Sequence, residues 1–372
     1  MFDPVDHRHM ARALALAERG KYSADPNPRV GCVIVREGQV VGEGWHRRAG
    51  DAHAEIEALQ CAAAQASGST VYVTLEPCSH TGRTGPCAPV LVQAGVSRVV
   101  IAMQDPNPRV GGNGKHILEK AGVQVETGLL ADEATTLNAG FVSRMTRGRP
   151  RVTIKLGASL DGRTAMASGE SQWVTSIDAR EDVQRLRAES SAVLTGAGTV
   201  LADDPSLNVR SEKYETGGRQ PLRVLIDSRL RTPPSARVLS LPGNTLIVCA
   251  GDGASPSADA LMAAGAGILS FPGSDRRVDL ERLLFELGER ECNDVLVEAG
   301  PCLAGSFVRE GLVDQFVFYL APSLLGSAAR GMFDLPGLEK MADKVQLEFV
   351  EVRSVGPDLR VRALPRKGAR AD

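Results

Sequence analysis

The chain has 372 residues, of which 43% are hydrophobic and 24% are charged, and its net charge at pH 7 is −2. This length exceeds what one hydrophobic core usually serves, so we expect two domains. A net charge near zero gives no basic field for DNA or RNA, which favours a small-molecule substrate. No stretch reaches the roughly 20 unbroken apolar residues of a membrane span, and the first residues lack a signal-peptide pattern. We therefore expect a cytoplasmic protein that binds neither membranes nor nucleic acid, with seven cysteines that serve as thiols or metal ligands.

After an opening hairpin, strands and helices alternate through the first half of the sequence. Hydrophobic periodicity predicts helices over residues 6–19, 54–66, 88–94 and 115–121. It predicts strands over residues 30–35, 39–44, 70–75, 97–103 and 123–127. This alternation predicts a mixed sheet with helices on its faces.

The polar segment Arg147-Gly148-Arg149-Pro150 separates the two halves, because its glycine and proline break any helix. It predicts a first domain at residues 1–147, a second at 148–366 and a flexible tail at 367–372. The second half has predicted strands over 151–156, 192–195, 222–227, 245–249, 295–298 and 315–320, and predicted helices over 178–189 and 303–309. The second domain is therefore also expected to be of α/β type.

The strongest chemical pattern is a histidine and two cysteines at the ends of predicted elements. His53 stands where a helix begins, Cys78 follows a strand, and Cys87 begins another helix. One imidazole and two thiolates suit Zn²⁺, which keeps a fourth position for water when the site is catalytic. Residues i and i+2 do not share a face of a regular helix, so Glu55 reaches the same metal only in an irregular first turn. There its carboxylate would take the proton of the water and pass it to a leaving amine.

Two other interpretations of these residues stay open. Taken singly, Cys78 and Cys87 are typical buried thiols and His53 is a typical helix cap. A structural zinc module would instead need a fourth protein ligand, for which His80 is the candidate. Replacing Glu55 by Gln distinguishes the possibilities, because only a catalytic site loses turnover while it keeps zinc.

His-x-Glu followed by Pro-Cys and a second Cys resembles the cytidine-deaminase superfamily, in which zinc is held by His/Cys/Cys and Glu shuttles protons. Eight residues separate Cys78 from Cys87, and this longer loop is similar to that of the pyrimidine deaminase of riboflavin biosynthesis. The resemblance implies that Asn27 contacts the substrate. His80 is also expected to contact the substrate, because His53, Cys78 and Cys87 already supply the protein ligands of the metal. Gly85 departs from the Thr-Pro-Pro-Cys that is common in the family, which should loosen the loop without removing a ligand.

Three motifs of the second half are similar to the reductase half of the same bifunctional family. They are Lys155-Leu156-Gly157-Ala158-Ser159-Leu160-Asp161-Gly162, Ser171-Gln172-Trp173 and Thr199-Val200-Leu201-Ala202-Asp203-Asp204-Pro205. No Gly-x-Gly-x-x-Gly is present, so a dinucleotide would not be bound by a Rossmann turn. The resemblance implies a cytidine-deaminase-like α/β/α mixed sheet followed by a dihydrofolate-reductase-like α/β domain that uses NADPH.

Carried over by position, the resemblance implies two sets of contacts in the second domain. NADPH is expected to contact Gly157, Trp173, Thr199, Asp203, Ser228, Gly300, Pro301, Cys302, Leu303, Ala304, Gly305 and Ser306. The substrate is expected to contact Lys155, Ser171, Arg187, Leu207, Arg210 and Glu298. Arginines suit a phosphosugar, because a guanidinium donates two parallel hydrogen bonds to phosphate.

Simpler interpretations remain for single positions of this set. Leu207 is equally a core residue, Arg187 a solvated helix charge and Ser228 a turn residue. Ala299 stands where the family often has glycine, and its methyl group is expected to crowd the pyrophosphate.

Together these features predict a bifunctional enzyme of flavin synthesis with a phosphorylated pyrimidine substrate. The first domain would hydrolytically deaminate a diaminopyrimidinone that carries a phosphoribosylamino group, with Zn²⁺ as cofactor. The second would reduce the ribosyl side chain to ribityl with NADPH, and subunits of this architecture commonly form homo-oligomers. The rival is a deaminase of another base, for example on tRNA, whose second domain only binds.

The heptapeptide Asp-Pro-Asn-Pro-Arg-Val-Gly occurs twice, at residues 25–31 and 105–111. The flanking sequences differ, so the repeat does not mark a duplicated domain. We expect two rigid loops at the rim of one pyrimidine pocket, the second of which would take phosphate through its glycine-rich N–H groups. The simpler interpretation is a pair of ordinary proline-rich turns, and for Arg29 and Arg109 it stays open.

Overall fold

A computed structural model describes residues 2–79, 85–108 and 110–366 of the chain. The chain divides into two compact units, Met1–Arg149 and Pro150–Asp372. The expected substrate residue His80, Arg109 of the second heptapeptide and the predicted tail at 367–372 lie outside the described residues. Within the described ranges, no helix has both the length and the apolar character that a membrane crossing requires.

The first unit contains a mixed sheet flanked by helices. Its helices are α1 Pro4–Glu18, α2 Ala54–Ala62, α3 Cys87–Gln93, α4 Asn113–Lys120, α5 Ala131–Leu137 and α6 Ala139–Arg147. Its strands are β1 Gly31–Arg36, β2 Gln39–Trp45, β3 Thr70–Leu75, β4 Arg98–Met103 and β5 Gln124–Thr127. They lie in the order β2-β1-β3-β4-β5, with β1 antiparallel to β2 and β3, and β3, β4 and β5 parallel. The mixed sheet expected from the sequence is therefore confirmed.

Local sequence explains how α2 comes to lie on the sheet. A Cβ atom at Gly42 or Gly44 of β2 would overlap the carbonyl oxygens of Ala58 and Ala54 in α2. Glycine at these two positions lets the helix backbone approach the strand directly, and the alanine-rich face of α2 fills the remaining space. This close packing brings the start of α2 next to the end of β2.

The second unit is built on a larger, mostly parallel sheet. Its helices are α7 Ile177–Glu189, α8 Ala197–Asp203, α9 Arg237–Ser240, α10 Pro256–Ala263, α11 Leu280–Glu289 and α12 Pro301–Arg309. Its strands are β6 Arg151–Ser159, β7 Arg163–Ala165, β8 Ala192–Gly196, β9 Leu222–Ile226, β10 Thr245–Cys249, β11 Ala266–Ser270, β12 Asp294–Val297, β13 Gln315–Ala321, β14 Arg330–Gly331, β15 Leu347–Val355 and β16 Asp358–Pro365.

The described strands of the main sheet have the order β11-β10-β9-β8-β12-β6-β13-β16-β15. The strands from β11 to β13 are parallel, and β16 and β15 continue the sheet antiparallel. Because parallel strands end at the same edge, the residues that follow β8, β9 and β12 lie side by side. Such an edge is where open α/β sheets bind ligands.

Candidate functional site

The expected zinc ligands of the first unit come together in space. His53 is the N-cap of α2 with an extended backbone, Cys87 is the first residue of α3, and Cys78 follows β3. One potential ligand atom from each of these residues lies within 4.8 Å of the other two. His53 Nδ1 is 3.2 Å from Cys87 Sγ and 3.5 Å from Cys78 Sγ.

The pKa values of the two thiols are shifted in opposite directions, because the thiols share a hydrogen bond. Donation from Cys87, and then from His53, lowers the pKa of the Cys78 thiol, whereas the neighbouring Cys78 sulfur and burial raise the pKa of Cys87. The backbone N–H of Cys87 also donates to Cys78 Sγ over 3.3 Å. One thiolate is therefore favoured before any metal binds, and an imidazole with two sulfurs is the donor set that fits Zn²⁺.

Glu55 lies in the first turn of α2 and is only 3% exposed. Burial, followed by the charge of Cys78, raises the pKa of its carboxyl group to about 7. The irregular first turn allows His53 and Glu55 to approach the same point, because His53 precedes the helical backbone. A buried acid with a pKa near neutrality is typical of a general acid–base.

The first heptapeptide loop reaches this centre through a histidine. Asn27 Nδ2 is 2.9 Å from His46 Nε2, and His46 Nδ1 is 3.1 Å from the carbonyl oxygen of Ala52. The His46 ring meets the His53 ring edge-on, with 5.4 Å between the centroids. The sequence interpretation missed His46, whose contacts depend on residues distant in the chain. Arg29 instead binds α5 and the residue after it, through the Leu137 carbonyl oxygen and the Asn138 side chain.

The second heptapeptide loop also reaches the centre, but its expected phosphate donors are occupied. The N–H groups of Asp105, Gly112 and Lys115 donate to the carboxylate of Glu76 over 2.9–3.2 Å. Of the glycine-rich N–H groups expected to bind phosphate, that of Gly112 donates to Glu76, and those of Gly111 and Asn113 donate to the carbonyl oxygens of Asn107 and Val110. For these three groups the expectation is wrong, because the chain provides their acceptors. The sequence interpretation missed Glu76, since its partners lie about 30 to 40 residues further along the chain.

In the second unit, three of the expected substrate residues form one ionic cluster, in which Arg187 is buried and Lys155 and Glu298 are half-buried. Arg187 donates to both carboxylate oxygens of Glu298, over 2.6 and 3.0 Å, and Lys155 Nζ lies 3.3 Å from Glu298. Burial acts to raise the pKa of Glu298, but Arg187 and Lys155 lower it to about 2. Arg187 also donates to the Asn208 carbonyl oxygen over 3.2 Å. The paired N–H groups of the Arg187 guanidinium therefore point at Glu298. This corrects the expectation that they are available to a phosphate.

Arg210 and Leu207 differ in what they offer a ligand. Arg210 is exposed, and its guanidinium donates to the Asn208 side chain over 3.1 Å. Leu207 is 2% exposed and belongs to a hydrophobic core. The Leu207 side chain therefore fills the core, as the simpler interpretation of this position holds, and the expected substrate contact of Leu207 stays a prediction.

The expected coenzyme residues cluster where β8, β9 and β12 end. Gly300 caps α12 without a side-chain hydrogen bond, and a Cβ atom built on it would lie 4.0 Å from Thr199 Oγ1 of α8. Ser228 follows β9. Backbone N–H groups at a helix start with no capping side chain are suited to a pyrophosphate, so this edge fits a dinucleotide.

Two residues of the segment 300–306 pack against the rest of the second unit. Ala304 is fully buried in the core, and a Cβ atom at Gly305 would overlap the carbonyl oxygen of Asp334. This face of α12 therefore packs inwards, and the expected coenzyme contacts of Ala304 and Gly305 stay a prediction that would have to involve their backbone. Ala299 also packs against the core, which removes the reason to expect its methyl group to crowd a pyrophosphate.

Three further expected residues, Ser171, Trp173 and Asp203, are partly or fully exposed in the second unit. Ser171 Oγ donates to Asp203 over 3.3 Å, which joins an expected substrate residue to an expected coenzyme residue. Trp173 is 69% exposed, and the Arg180 guanidinium lies 4.2 Å from the centre of its ring. Gly157 lies on β6, where a Cβ atom would be 3.2 Å from the Thr175 methyl group.

Comparisons with known proteins agree with a metal site in the first unit and a coenzyme site in the second. Residues 4–103 match the cytidine and deoxycytidylate deaminase zinc-binding region, and residues 150–361 match the RibD C-terminal domain. The chain is 51% identical over 363 residues to the riboflavin biosynthesis protein RibD of Escherichia coli K12, across 95% of this chain and 98% of that relative.

Solved structures extend the similarity to the fold. Acinetobacter baumannii RibD, form 2, is 45% identical with a TM-score of 0.90, across 97% of this chain and 99% of that one. A Thermotoga maritima diaminohydroxyphosphoribosylaminopyrimidine deaminase/5-amino-6-(5-phosphoribosylamino)uracil reductase is 30% identical with a TM-score of 0.85, across 97% of this chain and 99% of that one.

A zinc-binding deaminase region followed by a reductase domain defines a bifunctional enzyme. The chain belongs to the RibD family of riboflavin biosynthesis. The expected fold classes, the paired deaminase and reductase activities, and the use of zinc and NADPH are thereby confirmed.

Proposed function

We propose that residues 1–147 deaminate 2,5-diamino-6-(5-phosphoribosylamino)pyrimidin-4(3H)-one and that residues 148–366 reduce the ribosyl side chain of the product to ribityl. The observation that carries the first half is the meeting of His53, Cys78 and Cys87 beside the buried Glu55. Hydrogen exchange tests this division of the two activities. NADPH should protect segments within 150–361 from exchange and should not protect segments within 4–103.

In the deaminase, His53, Cys78 and Cys87 would hold zinc, which supplies an activated water as the nucleophile. Glu55 takes a proton from this water as it adds to the ring carbon that bears the amine, and then gives a proton to the departing ammonia. Asn27, fixed by His46, orients the pyrimidine at the rim. His80 remains a proposed substrate contact, because His53, Cys78 and Cys87 already supply the protein ligands of the metal.

In the reductase, NADPH would supply the hydride to the sugar carbon. The backbone N–H groups of the first turn of α12 would bind the pyrophosphate of NADPH. The other expected coenzyme residues with accessible groups would contact the rest of the coenzyme. Glu298, held by Arg187 and Lys155, would accept hydrogen bonds from the sugar hydroxyls. Arg210 is the exposed cation and would bind the phosphate, and Ser171 would fix the sugar beside it.

Replacing Glu55 by Gln tests the proton transfer. Ammonia release from the diaminopyrimidine substrate should fall by about 10²–10⁴-fold, because the carboxamide cannot carry a proton. Bound zinc should stay at the wild-type level, and NADPH oxidation with the deaminated intermediate supplied should be unchanged. Glu57→Gln is the matched control, since Glu57 lies in the same helical turn but pairs with Arg47. Ammonia release by Glu55→Gln at the rate of the control would contradict the proposal.

The proposed sequence of the two reactions is tested with the unmodified protein. Ammonia should appear from the diaminopyrimidine phosphoriboside with or without NADPH. NADPH oxidation should begin only after deaminated product has accumulated. NADPH oxidation that precedes ammonia release would refute the proposed order.

We also propose that the enzyme works in the cytoplasm as a homo-oligomer and without nucleic acid. Reduced thiols at the metal centre and use of NADPH suit a reducing compartment, which fractionation of cells would test. The net charge of −2 gives no attraction to polyanions, so a gel-shift titration with tRNA should show no complex. For self-association, the supporting feature is β15, the outer strand of the described sheet, which carries exposed apolar side chains.

A further inference from the structure

Glu76 is a buried carboxylate that the deaminase chemistry does not use. It lies between β3 and the expected zinc ligand Cys78, and it is 5% exposed. Its Oε2 atom accepts the N–H groups of Asp105, over 3.2 Å, and Gly112, over 2.9 Å. Its Oε1 atom accepts the N–H of Lys115 over 3.1 Å. One side chain therefore binds both ends of the loop 105–112 and the first turn of α4.

The backbone around Glu76 is held to the same structures. Its own N–H donates to the Met103 carbonyl oxygen, at the end of β4, over 3.0 Å. On the other side, a Cβ atom at Gly114 of α4 would overlap the carbonyl oxygen of Pro77. The turn that leads into Cys78 is therefore packed directly against the start of α4, and Glu76 supplies the polar part of that contact.

The loop held in this way forms part of a surface depression beside the metal centre. Its lining consists of Glu76, Pro77, Cys78, Ser79, Asp105 and Val110. Asp105 and Val110 belong to the second heptapeptide, and the carboxylate of Glu76 accepts the N–H groups of its first residue, Asp105, and of Gly112, which follows it. The wall that faces Cys78 thus depends on Glu76.

We propose that Glu76 is a positioning residue of the deaminase, which holds residues 105–108 and 110–112 as a wall of the pyrimidine pocket next to Cys78. The inference rests on the proposed deaminase function of this unit. Glu76 does not touch the reacting atoms. It acts through the loop, whose position sets how well the substrate ring is held.

The hydrogen-bond geometry explains why a carboxylate is needed at this position. Three N–H groups point at two oxygen atoms, so each oxygen must be an acceptor. A glutamine has one oxygen and one NH₂ group, and either orientation of its amide places donor against donor. If its NH₂ group faces Lys115, one bond is lost, and if it faces Asp105 and Gly112, two are lost. An unmade bond to a buried donor is costly, so the loop is expected to move.

The test is Glu76→Gln in the full-length zinc-loaded enzyme. The KM of the deaminase for its pyrimidine substrate should rise by about tenfold or more, with a smaller change in kcat, because the wall binds substrate without taking part in proton transfer. Bound zinc and NADPH oxidation with supplied deaminated intermediate should match the wild type. Deuterium uptake of the segment 105–115 should be faster. An unchanged KM in a folded, zinc-loaded Glu76→Gln enzyme would overturn the proposal.

A second variant removes one hydrogen bond without changing Glu76. Lys115→Pro deletes the N–H that meets Oε1, at a first-turn position where a helix tolerates proline. Its KM should rise in the same direction by a smaller factor. Lys115 also pairs with Glu119 on the surface, so Glu119→Gln, which breaks only that pair, is the matched control and should keep the wild-type KM. If Glu76→Gln misfolds, Lys115→Pro with the KM of Glu119→Gln would still overturn the proposal.

A double-mutant cycle separates positioning from a general loss of stability. Val110→Ala trims the loop side of the depression, so its effect on KM should be less than additive with that of Glu76→Gln. Additive effects would mean that Glu76 does not act through the loop and would refute the inference. A wild-type enzyme that releases no ammonia would instead refute the proposed function, so the two failures can be told apart.

Discussion

Glu298 is a carboxylate whose cationic partners come from a helix, α7, and a strand, β6. The pairing lies at the end of β12, and the Thr195 hydroxyl donates to the Glu298 carbonyl oxygen over 2.7 Å. Buried ion pairs are not strongly stabilising relative to apolar replacements, but removal of one partner leaves an uncompensated charge. The arrangement of side chains at the end of β12 therefore depends on the negative charge of Glu298.

The pH dependence of this cluster has a definite sign. The folded pKa of Glu298, about 2, lies below the ordinary value of about 4.3 for an unfolded chain. Because its pKa is lowered in the folded state, Glu298 stabilises the fold at pH values above the unfolded-state pKa. This contribution is lost as the pH falls from about 4.3 to about 2. Glu298→Gln lacks this titration. At pH 7 the variant should be less stable than the wild type by about 3 kcal/mol, and the difference should shrink towards pH 3.

Urea unfolding of the second unit measures the difference. The chain has two tryptophans, Trp45 in the first unit and Trp173 in the second. A Trp45→Phe background therefore leaves fluorescence from the second unit alone. A stability difference between wild type and Glu298→Gln that stayed constant from pH 7 to pH 3 would contradict the assignment of the lowered pKa.

At the scale of elements, each unit contains a tyrosine that ties a helix to its sheet. Tyr72 of β3 donates to Asp6 of α1 over 2.8 Å, and Tyr319 of β13 donates to Asp182 of α7 over 2.6 Å. Asp182 also accepts from Arg360 of β16 over 2.8 Å. α7 is the helix that carries Arg187, so the hydrogen bond between Tyr319 and Asp182 helps to hold Arg187 at the sheet edge where the substrate is expected to bind.

Replacing either tyrosine by phenylalanine should destabilise only its own unit. Loss of a hydrogen bond to a charged group costs about 1.5–3 kcal/mol. In Tyr319→Phe the urea midpoint reported by Trp173 should fall, and the midpoint reported by Trp45 should not change. Tyr72→Phe is the matched control with the opposite pattern. Equal shifts in both signals for one substitution would show that the units do not unfold separately.

Local patterns were sufficient to predict the elements that have a strong period or a sharp end. Every helix and strand expected from the sequence overlaps one in the structure. The helix expected over 54–66 ends at Ala62, because Ala63 adopts a left-handed backbone (φ 47°) and a 3₁₀ turn follows. The strand β15 was missed, since its apolar residues are largely exposed and show no inward period.

The candidate sites divide in the same way. His53, Glu55, Cys78 and Cys87 could be predicted because each follows a local signal at the start of a helix or the end of a strand. Glu76 could not be predicted, because its partners are set by the packing of α4 on the sheet. The burial of Leu207 also depends on tertiary contacts, which no spacing in the sequence reveals.

At the scale of the whole molecule, the proposed self-association has a definite location. β15 pairs with β16 along one side, and among the described strands it is the outermost of the sheet. Phe349 is 70% exposed and Val352 is 56% exposed. Native sheets usually protect an outer strand of this length with charge or cover it, because its free N–H and C=O groups invite pairing. A second copy of the same strand would satisfy those groups and bury the apolar side chains.

Replacing Val352 by Lys should shift the protein towards monomer in sedimentation velocity at micromolar concentration. Val352→Lys opposes pairing between copies because it replaces an apolar side chain that the contact would bury, so the new charge would have to be desolvated there. Glu348→Lys is the matched control on the same strand: it adds a lysine and removes no apolar surface. The wild type and the control should sediment as the same oligomer, and the zinc content of all three proteins should agree. Because each unit has its own site, ammonia release should persist in the Val352→Lys monomer. A wild type that sediments as a monomer, or a Val352→Lys protein that keeps the wild-type oligomer, would remove β15 as the contact.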